Sequence, residues 1–393
     1  MKLLIIFPST QRGGAEEYTL KIARGILQSG WEVHAAFPKT PDTISLINDF
    51  TQQSIEYHQL DIADVEENKF ASLKASLFRL LETSKLLFKL KPDVVLLNLP
   101  AHHLGFVILW LCGLLQIPTA VVFHLIPFPA SFSQSKLRAY HWAKARNQEW
   151  ITISDYNRKY LAQEFDLDPQ ELHCIYNGIK QESPLVQCDI DKNKLRSKIR
   201  QELALVETSQ VLLTVARLHP QKGHDYLIPI IPEITAKFPQ VQFVWVGDGE
   251  HQTYLTNMLR EHQVEAQVTF LGYRDDIPNL LTAADIFLFP SYQEGLPFAV
   301  LEAMVSGLPI IASDTGGIPE MISHKQNGLL FRTGNSQDML QKLDWALTHP
   351  AAMKQMAVAA QVQVQKFSQT TMLNNTLEVL HNLAESKRSP RFW

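Results

Sequence analysis

The chain has 393 residues, enough for two or three domains, each with a sizeable core. Its hydrophobic share of 46% excludes a largely disordered polymer, and 36 basic against 40 acidic residues, a net charge of −4, exclude a nucleic-acid coat protein. Cys112, Cys174 and Cys188 are too few and too scattered for a disulfide scaffold or a zinc site, and read as reduced thiols of a reducing compartment.

Lys2 precedes only a short apolar run, Leu3 to Phe7, less than the roughly 7–15 residues of a secretory segment. That run reads as a buried first strand. Further strand candidates in the first half are Glu32–Phe37, Ile55–Leu60, Asp93–Leu97, Thr119–His124, Trp150–Ile153 and Leu172–Ile175. Many are unbroken apolar runs, as expected of strands covered on both faces. Helix-length segments such as Ala15–Gln28 and Ser135–Arg146 lie between them. The apolar run Leu104–Leu115 is short of the roughly 20 residues a bilayer demands, and reads as a core helix.

The second half repeats the pattern at Gln210–Val215, Gln242–Val246, Val268–Leu271, Ile286–Phe289, Pro309–Ala312 and Gly328–Phe331. This βαβα alternation predicts an α/β protein of two Rossmann-like, doubly wound domains facing across a cleft. The boundary falls at the start of the polar stretch Lys180–Lys198: residues 1–182, then 183–365. Ala351–Ser386 reads as helical throughout, its end (366–386) packing back on the first domain, and the tail Lys387–Trp393 reads as loose.

In doubly wound folds ligands meet the loops that follow strands. The first such loop, Pro8 to Glu16, carries Gly13 and Gly14, which let a backbone approach an anion at a helix start; a plain tight turn fits equally well. The second, Val215 to His224, holds Arg217 and Lys222 across a turn with Pro220 and Gly223. An arginine fork and a lysine point charge suit a diphosphate, although two solvated cations would look alike in sequence. The third runs from Phe289 to Met304 and holds Glu294 and Glu302, with Pro297 at a helix start. Two carboxylates there can hold sugar hydroxyls at two ends of one ligand; a glutamate at a helix start can also merely complement the dipole. The pair Asp275-Asp276 precedes Ile277-Pro278 and reads as a helix cap or turn, not a metal pair.

Together these segments resemble glycosyltransferase family 4, retaining enzymes of the GT-B fold. The E-x7-E element Glu294–Glu302 stands among Val215-Ala-Arg217, Lys222-Gly223, Gly247-Asp-Gly249, Leu271-Gly-Tyr-Arg274, Ala284-Asp285, Pro290-Ser291, Gly307-Leu-Pro309, Gly316-Gly317 and Asn327-Gly-Leu-Leu330. The resemblance implies that Glu294 holds hydroxyls of a donor sugar and Glu302 the nucleotide ribose. It implies that Arg217 and Lys222 neutralise the donor diphosphate. Gly295, Leu296 and Phe298 lie where backbone N–H groups meet sugar or phosphate. Tyr273 and Arg274 match the loop beside the nucleobase, and Gly14 matches a glycine near the phosphate. His124 matches a histidine that contacts the donor sugar and supports catalysis, but Leu125 replaces the aspartate that commonly follows it. His102, His103 and His141 are further acceptor-side candidates, with nothing to single them out.

The implied reaction moves a hexose from a nucleoside diphosphate sugar, as substrate, to a hydroxyl acceptor with retention. It needs no metal and no cofactor, and belongs to cell-surface polysaccharide or glycolipid assembly. Rival readings are a GT-B nucleotide-sugar epimerase and a non-catalytic nucleotide-sugar-binding subunit. One stretch falls outside this scheme. Residues 69–91 carry Lys69, Lys74, Arg79, Lys85, Lys89 and Lys91 against Glu82 alone, with Phe70, Leu73, Leu77, Leu80, Leu81, Leu87 and Phe88 at about helical spacing. Such a helix either lies on anionic lipid at the inner face of the cytoplasmic membrane, near a lipid-linked glycan acceptor, or packs on its own sheet with a solvated basic side.

Overall fold

The computed structural model describes residues 1–62, 69–126, 132–181 and 189–386, without the side chains of 69–75 and 189–192. The expected linker near residue 183, Cys188 and the tail Lys387–Trp393 lie outside the described residues, as do the side chains of Lys69, Phe70, Leu73 and Lys74. The chain divides into two compact units: Met1–Asn177 with the segment from Thr370 onward, and Gly178–Gln369.

The first unit is built on strands β1 (Lys2–Ile6), β2 (Glu32–Phe37), β3 (Glu56–Gln59), β4 (Val94–Leu99), β5 (Thr119–Phe123), β6 (Gln148–Thr152) and β7 (His173–Cys174). They form one sheet in the order β3-β2-β1-β4-β5-β6-β7, every neighbouring pair parallel. A parallel sheet needs helices on both faces, which is why β4 and β5 are buried along their whole length. On one face Val95, Leu97, Val121 and Trp150 pack with Ile108, Leu109, Tyr140 and Phe165 from the helices. Cys112 sits in this core, where burial pushes its thiol up to about 12. The run Leu104–Leu115 supplies the helix Phe106–Leu114 of the same core. Among the described residues no helix is long and apolar enough to cross a membrane.

The second unit holds β8 (Gln210–Val215), β9 (Val241–Val246), β10 (Val268–Phe270), β11 (Ile286–Phe289), β12 (Ile310–Ser313) and β13 (Leu329–Phe331). Their order is β10-β9-β8-β11-β12-β13, again all parallel. In each sheet the strand order reverses once, beside β1 and beside β8. The loops after β1 and β4, and after β8 and β11, therefore flank the place where doubly wound sheets bind ligands.

The carboxylate of Asp285 anchors the first helix of this unit, Asp189–Glu202, to the sheet. Its Oδ2 accepts from Arg200 Nη2 and from Val211 N, both at 2.7 Å, and its Oδ1 from Arg196 Nη2 at 2.6 Å. Arg200 is only 1% exposed and also donates to the carbonyls of Ala283, Glu207 and Ser209. A buried guanidinium is tolerable only when paired and hydrogen-bonded in this way.

The expected continuous helix over Ala351–Ser386 is in fact two helices, Pro350–Gln363 and Gln369–Ser386, separated by a 3-10 turn and an extended Ser368. No proline or glycine marks the break. Its cause is tertiary: Ile179 N donates to Phe367 O at 2.9 Å and Gln369 N to Ile179 O at 3.0 Å, which pulls the chain into a β-bridge. Gly178 makes this approach possible, because a Cβ there would strike the Ser368 carbonyl. The last helix then joins the first unit. Leu373 fills the space beside Gly25, His381 stacks edge-on against Trp31 at 4.9 Å, and Ser386 Oγ donates to Asn147 Oδ1 at 3.0 Å.

Asp285→Ala would leave Arg200 buried without its carboxylate. It should lower unfolding free energy by about 3 kcal/mol or more, read from urea denaturation midpoints.

Candidate active site

The loop after β8 is a short 3-10 turn, Pro220–Lys222. His219 caps it, its Nδ1 accepting from Gln221 N at 3.1 Å. Gly223 closes it at φ 69°, and a Cβ there would collide with the Pro290 carbonyl at the end of β11. Two further bonds hold this turn to the loop after β11: Tyr292 N to Gln221 O at 2.8 Å, and Gln221 Nε2 to Gln293 O at 2.7 Å. The loop after β12 supports both. Ser313 Oγ donates to Ser291 O at 2.6 Å, and Gly316, at φ 55°, lies so close to the Glu294 carbonyl that no side chain would fit.

The three loops converge on one carboxylate. Glu294 is 6% exposed, and its Oε1 accepts from Lys222 Nζ and from Ser291 Oγ, each at 2.6 Å. The Lys222 side chain is 15% exposed. A buried carboxylate and a buried ammonium each require the other. A lysine head has three N–H donors, so the contact with Glu294 takes one of them. The sequence pointed to Lys222 as a phosphate ligand and to Glu294 as a sugar ligand; the structure brings the two into direct contact. It also places Glu294 inside the loop cluster, 6% exposed.

Arg217 is half-buried at the start of the same loop. Burial, and after it the charge of Arg217, hold the His219 imidazole below its ordinary pKa, with Lys222 adding to the effect. Both cations thus act on one small region. Beside it begins the helix Phe298–Ser306, with Pro297 at its N-cap. Pro297 has no capping side chain to offer, and no acidic residue occupies the first turn. Its dipole and first N–H groups are therefore oriented for an anion. Gly295, Leu296 and Phe298 are buried around it, and Gly295 O accepts from Gly317 N at 2.9 Å. Glu302 stands on the same helix, half-buried.

Tyr273 is 55% exposed on the loop after β10. Arg274 beside it grips Asp276 with two bonds of 2.7 Å, Nε to Oδ1 and Nη2 to Oδ2. The pair Asp275-Asp276 stands at the helix start, as the reading of a cap or turn expected. Asp276 occupies the N-cap position of the helix Ile277–Ala283, but its side chain makes no cap bond. The Arg274 fork holds its carboxyl below the usual carboxylate range.

In the first unit Gly13 is the N-cap of the helix Gly14–Gln28, and the space where a Gly14 side chain would lie is open. Unlike the helix at Phe298, this one carries Glu16 and Glu17 in its first turn. Arg12 pairs with Glu17 and Asp49, each at 2.7 Å.

His124 departs from expectation. The ring is 6% exposed, packs edge-on against Tyr18 and shares a 2.5 Å hydrogen bond, Nε2 to Asn98 Oδ1. Asn98 in turn donates to Thr19 Oγ1 at 2.6 Å and Ala15 O at 3.1 Å, so His124 braces the helix Gly14–Gln28 through it. Burial lowers its pKa to about 3, which keeps the ring neutral and unsuited to general acid work. His102 is fully buried against Phe132 and Phe165, while His103 is exposed and His141 half-buried.

Sequence reasoning assigned no role to Ser291, Gly316 or Asn98. The Ser291-x-x-Glu294 spacing and a lone asparagine in the apolar strand Val94–Leu99 were the available signals.

These features define the class: a GT-B fold whose second unit carries a paired lysine and glutamate at the carboxyl ends of its strands. Residues 12–183 match the family described as Glycosyltransferase Family 4, and residues 196–363 match Glycosyl transferases group 1. A UDP-Gal:alpha-D-GlcNAc-diphosphoundecaprenol alpha-1,3-galactosyltransferase from Escherichia coli is 30% identical over 280 residues, 69% of this chain and 70% of that protein. An uncharacterized glycosyltransferase of Haemophilus influenzae is 33% identical over 159 residues, 40% of this chain and 45% of that protein. The chain thus spans between about half and two thirds of these relatives. Anabaena HepE, crystallised with UDP-glucose, superimposes with a TM-score of 0.80 at 24% identity, covering 97% of this chain and 100% of that one. The chain belongs to glycosyltransferase family 4.

Lys222→Met and Glu294→Gln should each destabilise the protein. In a double-mutant cycle their coupling should be about 1–3 kcal/mol, read from denaturation; additive effects would mean the pair is not buried as described.

Proposed function

We propose that this protein transfers a hexose from a nucleoside diphosphate sugar to a hydroxyl of a growing cell-surface polysaccharide or glycolipid. The observation that carries this reading is the Lys222–Glu294–Ser291 cluster just before the acid-free start of the helix Phe298–Ser306. In the reaction the bond from the anomeric carbon to the diphosphate breaks and a bond to the acceptor oxygen forms. The acceptor proton leaves with the phosphate, and the configuration is retained.

Negative charge develops on the leaving diphosphate. Lys222, Arg217 and the helix start meet it with fixed charges and dipoles, which is electrostatic stabilisation by a prearranged site. No metal is required in this scheme. Glu294 accepts hydroxyls of the hexose, and its existing bond to Lys222 sets the spacing between sugar and phosphate subsites. Glu302 accepts from the ribose, the backbone at Gly295, Leu296 and Phe298 donates to sugar or phosphate, and Tyr273 and Arg274 border the base. Gly13 and Gly14 present backbone to the phosphate side, and His124 is a positioning residue for that loop. Titration calorimetry with UDP- and GDP-linked hexoses should show binding of one of them, weakened at least tenfold in Lys222→Ala. Release of nucleoside diphosphate on adding acceptor should persist in EDTA; loss restored only by Mg2+ would overturn the metal-free scheme.

The acceptor we propose is lipid-linked, at the inner face of the cytoplasmic membrane. Support comes from the E. coli relative, whose name specifies a diphosphoundecaprenol acceptor, and from the helix Lys69–Leu90. This helix packs inward through Thr83 and Leu87, yet Leu77, Phe78, Leu81 and Phe88 are each more than half exposed. Leu77, Leu81 and Phe88 share one face, with Lys85 between them. The side turned outward is thus apolar with basic flanks, a combination suited to anionic lipid. Replacing Leu77, Phe78, Leu81 and Phe88 by serine should reduce flotation with phosphatidylglycerol vesicles at least fivefold and leave binding of the nucleotide unchanged.

A further inference from the structure

The face of the first sheet that helix Lys69–Leu90 covers is apolar along β1, β4 and β5 but not at its edge. There two adjacent strands repeat one pattern, Glu32-Val-His34 on β2 and Glu56-Tyr-His58 on β3. Side chains two apart on a strand share a face, and His34 is the register partner of Glu56. Two carboxylates and two imidazoles therefore meet on a surface that a parallel sheet normally reserves for aliphatic residues. Local departures of this kind mark places with a use beyond packing.

The donor atoms are close together. His34 Nδ1 and His58 Nε2 are 3.0 Å apart. One Glu56 oxygen lies 3.4 Å from His34 Nδ1 and the other 3.7 Å from His58 Nε2. Nitrogen and oxygen ligands at zinc's usual bond lengths, in tetrahedral array, are about 3.3 Å apart, and the observed separations bracket that figure. Glu32 Oε1 lies 2.8 Å from His34 Nε2. A carboxylate there fixes the proton on Nε2 and turns the Nδ1 lone pair toward the other ligands, the usual outer arrangement behind a metal-bound histidine.

We propose that His34, His58 and Glu56 form a site for one divalent transition-metal ion of zinc's class, with Glu32 orienting His34 from outside. Two histidine nitrogens and one carboxylate suit zinc better than calcium or magnesium, which prefer oxygen. Glu56 is exposed, so solvent supplies the remaining position. The ion ties the edge strand β3 to β2 beneath the helix Lys69–Leu90. In its absence the same groups form a relay in which His58 Nε2–H donates to His34 Nδ1 and His34 Nε2–H to Glu32. Loading the ion needs only a change of tautomer at His58. Two cations face the cluster: Lys2, 3.0 Å from Glu32, and Lys89, which acts on His58 from the helix. The quartet shares no residue with the proposed transferase site, so this ion stands apart from the metal-free reaction.

The test is Zn2+ titration by calorimetry of the full chain, stripped with EDTA and dialysed, beside His58→Gln and Glu56→Gln. The chain has 14 histidines, so the decisive quantity is the difference between proteins. The wild type should bind one more equivalent of Zn2+ than either variant, and Zn2+ should raise its Tm by several degrees with little change in theirs. Circular dichroism of both variants should match the wild type, since both replaced side chains lie on an edge strand. Equal stoichiometry in all three proteins, or no binding to the wild type, would overturn the proposal.

Discussion

The contact between Lys222 and Glu294 is the constraint on which the second unit's site depends. Neither charge is tolerable alone at its degree of burial, so the turn after β8 and the loop after β11 must lie against each other. That requirement explains the surrounding detail. Gly223 and Gly316 are there because carbonyl groups occupy the space a side chain would need. Ser291 adds a second donor to the same carboxylate oxygen, and Ser313 fixes Ser291 in turn. The result is a carboxylate held in one orientation before any ligand arrives, which is what a prearranged binding site requires. The pair also links two tasks. Any anion that draws on Lys222 alters the charge balance felt by Glu294, so the two side chains form one electrostatic unit.

Polar residues in or beside parallel sheets are costly, and three groups among the described residues are there for different reasons. Asp285 and Arg200 are structural, fastening a helix to β8 and β11 through a fully bonded guanidinium. Asn98 and His124 brace the start of the helix Gly14–Gln28, and so set the loop that carries Gly13 and Gly14. The Glu-x-His pairs of β2 and β3 do neither, and lie away from the carboxyl end of β4 that Asn98 serves. Burial alone does not separate these cases. What separates them is where the remaining hydrogen-bonding capacity points.

The strands were legible in the sequence because continuous apolar runs leave little choice in a parallel sheet; Glu32–Phe37, Gln210–Val215 and Ile286–Phe289 match to the residue. The break at Phe367-Ser368 was not legible, since it arises from pairing with Ile179, nearly two hundred residues earlier in the chain. The same limit applied at the site. The residue types at 217, 222, 294 and 302 pointed to a diphosphate sugar, but the 2.6 Å contact of Lys222 with Glu294 depends on two loops that only the folded sheet brings together. At His124 the sequence left out a partner. Its position after a strand suggested a ligand contact, while its partner Asn98 looked like an incidental polar residue. The Glu-x-His repeat passed unremarked in the sequence, because it lies in two strands whose register is invisible there.

The two helix starts considered as anion sites differ in a way that divides their labour. The helix Gly14–Gln28 begins with Glu16 and Glu17, and those carboxylates already complement its dipole. An anion brought there meets two negative charges as well as the positive helix end. The helix Phe298–Ser306 begins with no acid and with Pro297, which has no capping side chain, four residues after the Glu294 that Lys222 contacts. The helix start of the second unit is therefore the more positive of the two, and that of the first unit offers open backbone at Gly14 rather than charge. This asymmetry follows from four side chains, Glu16, Glu17, Arg217 and Lys222, and could not be read from the glycines alone.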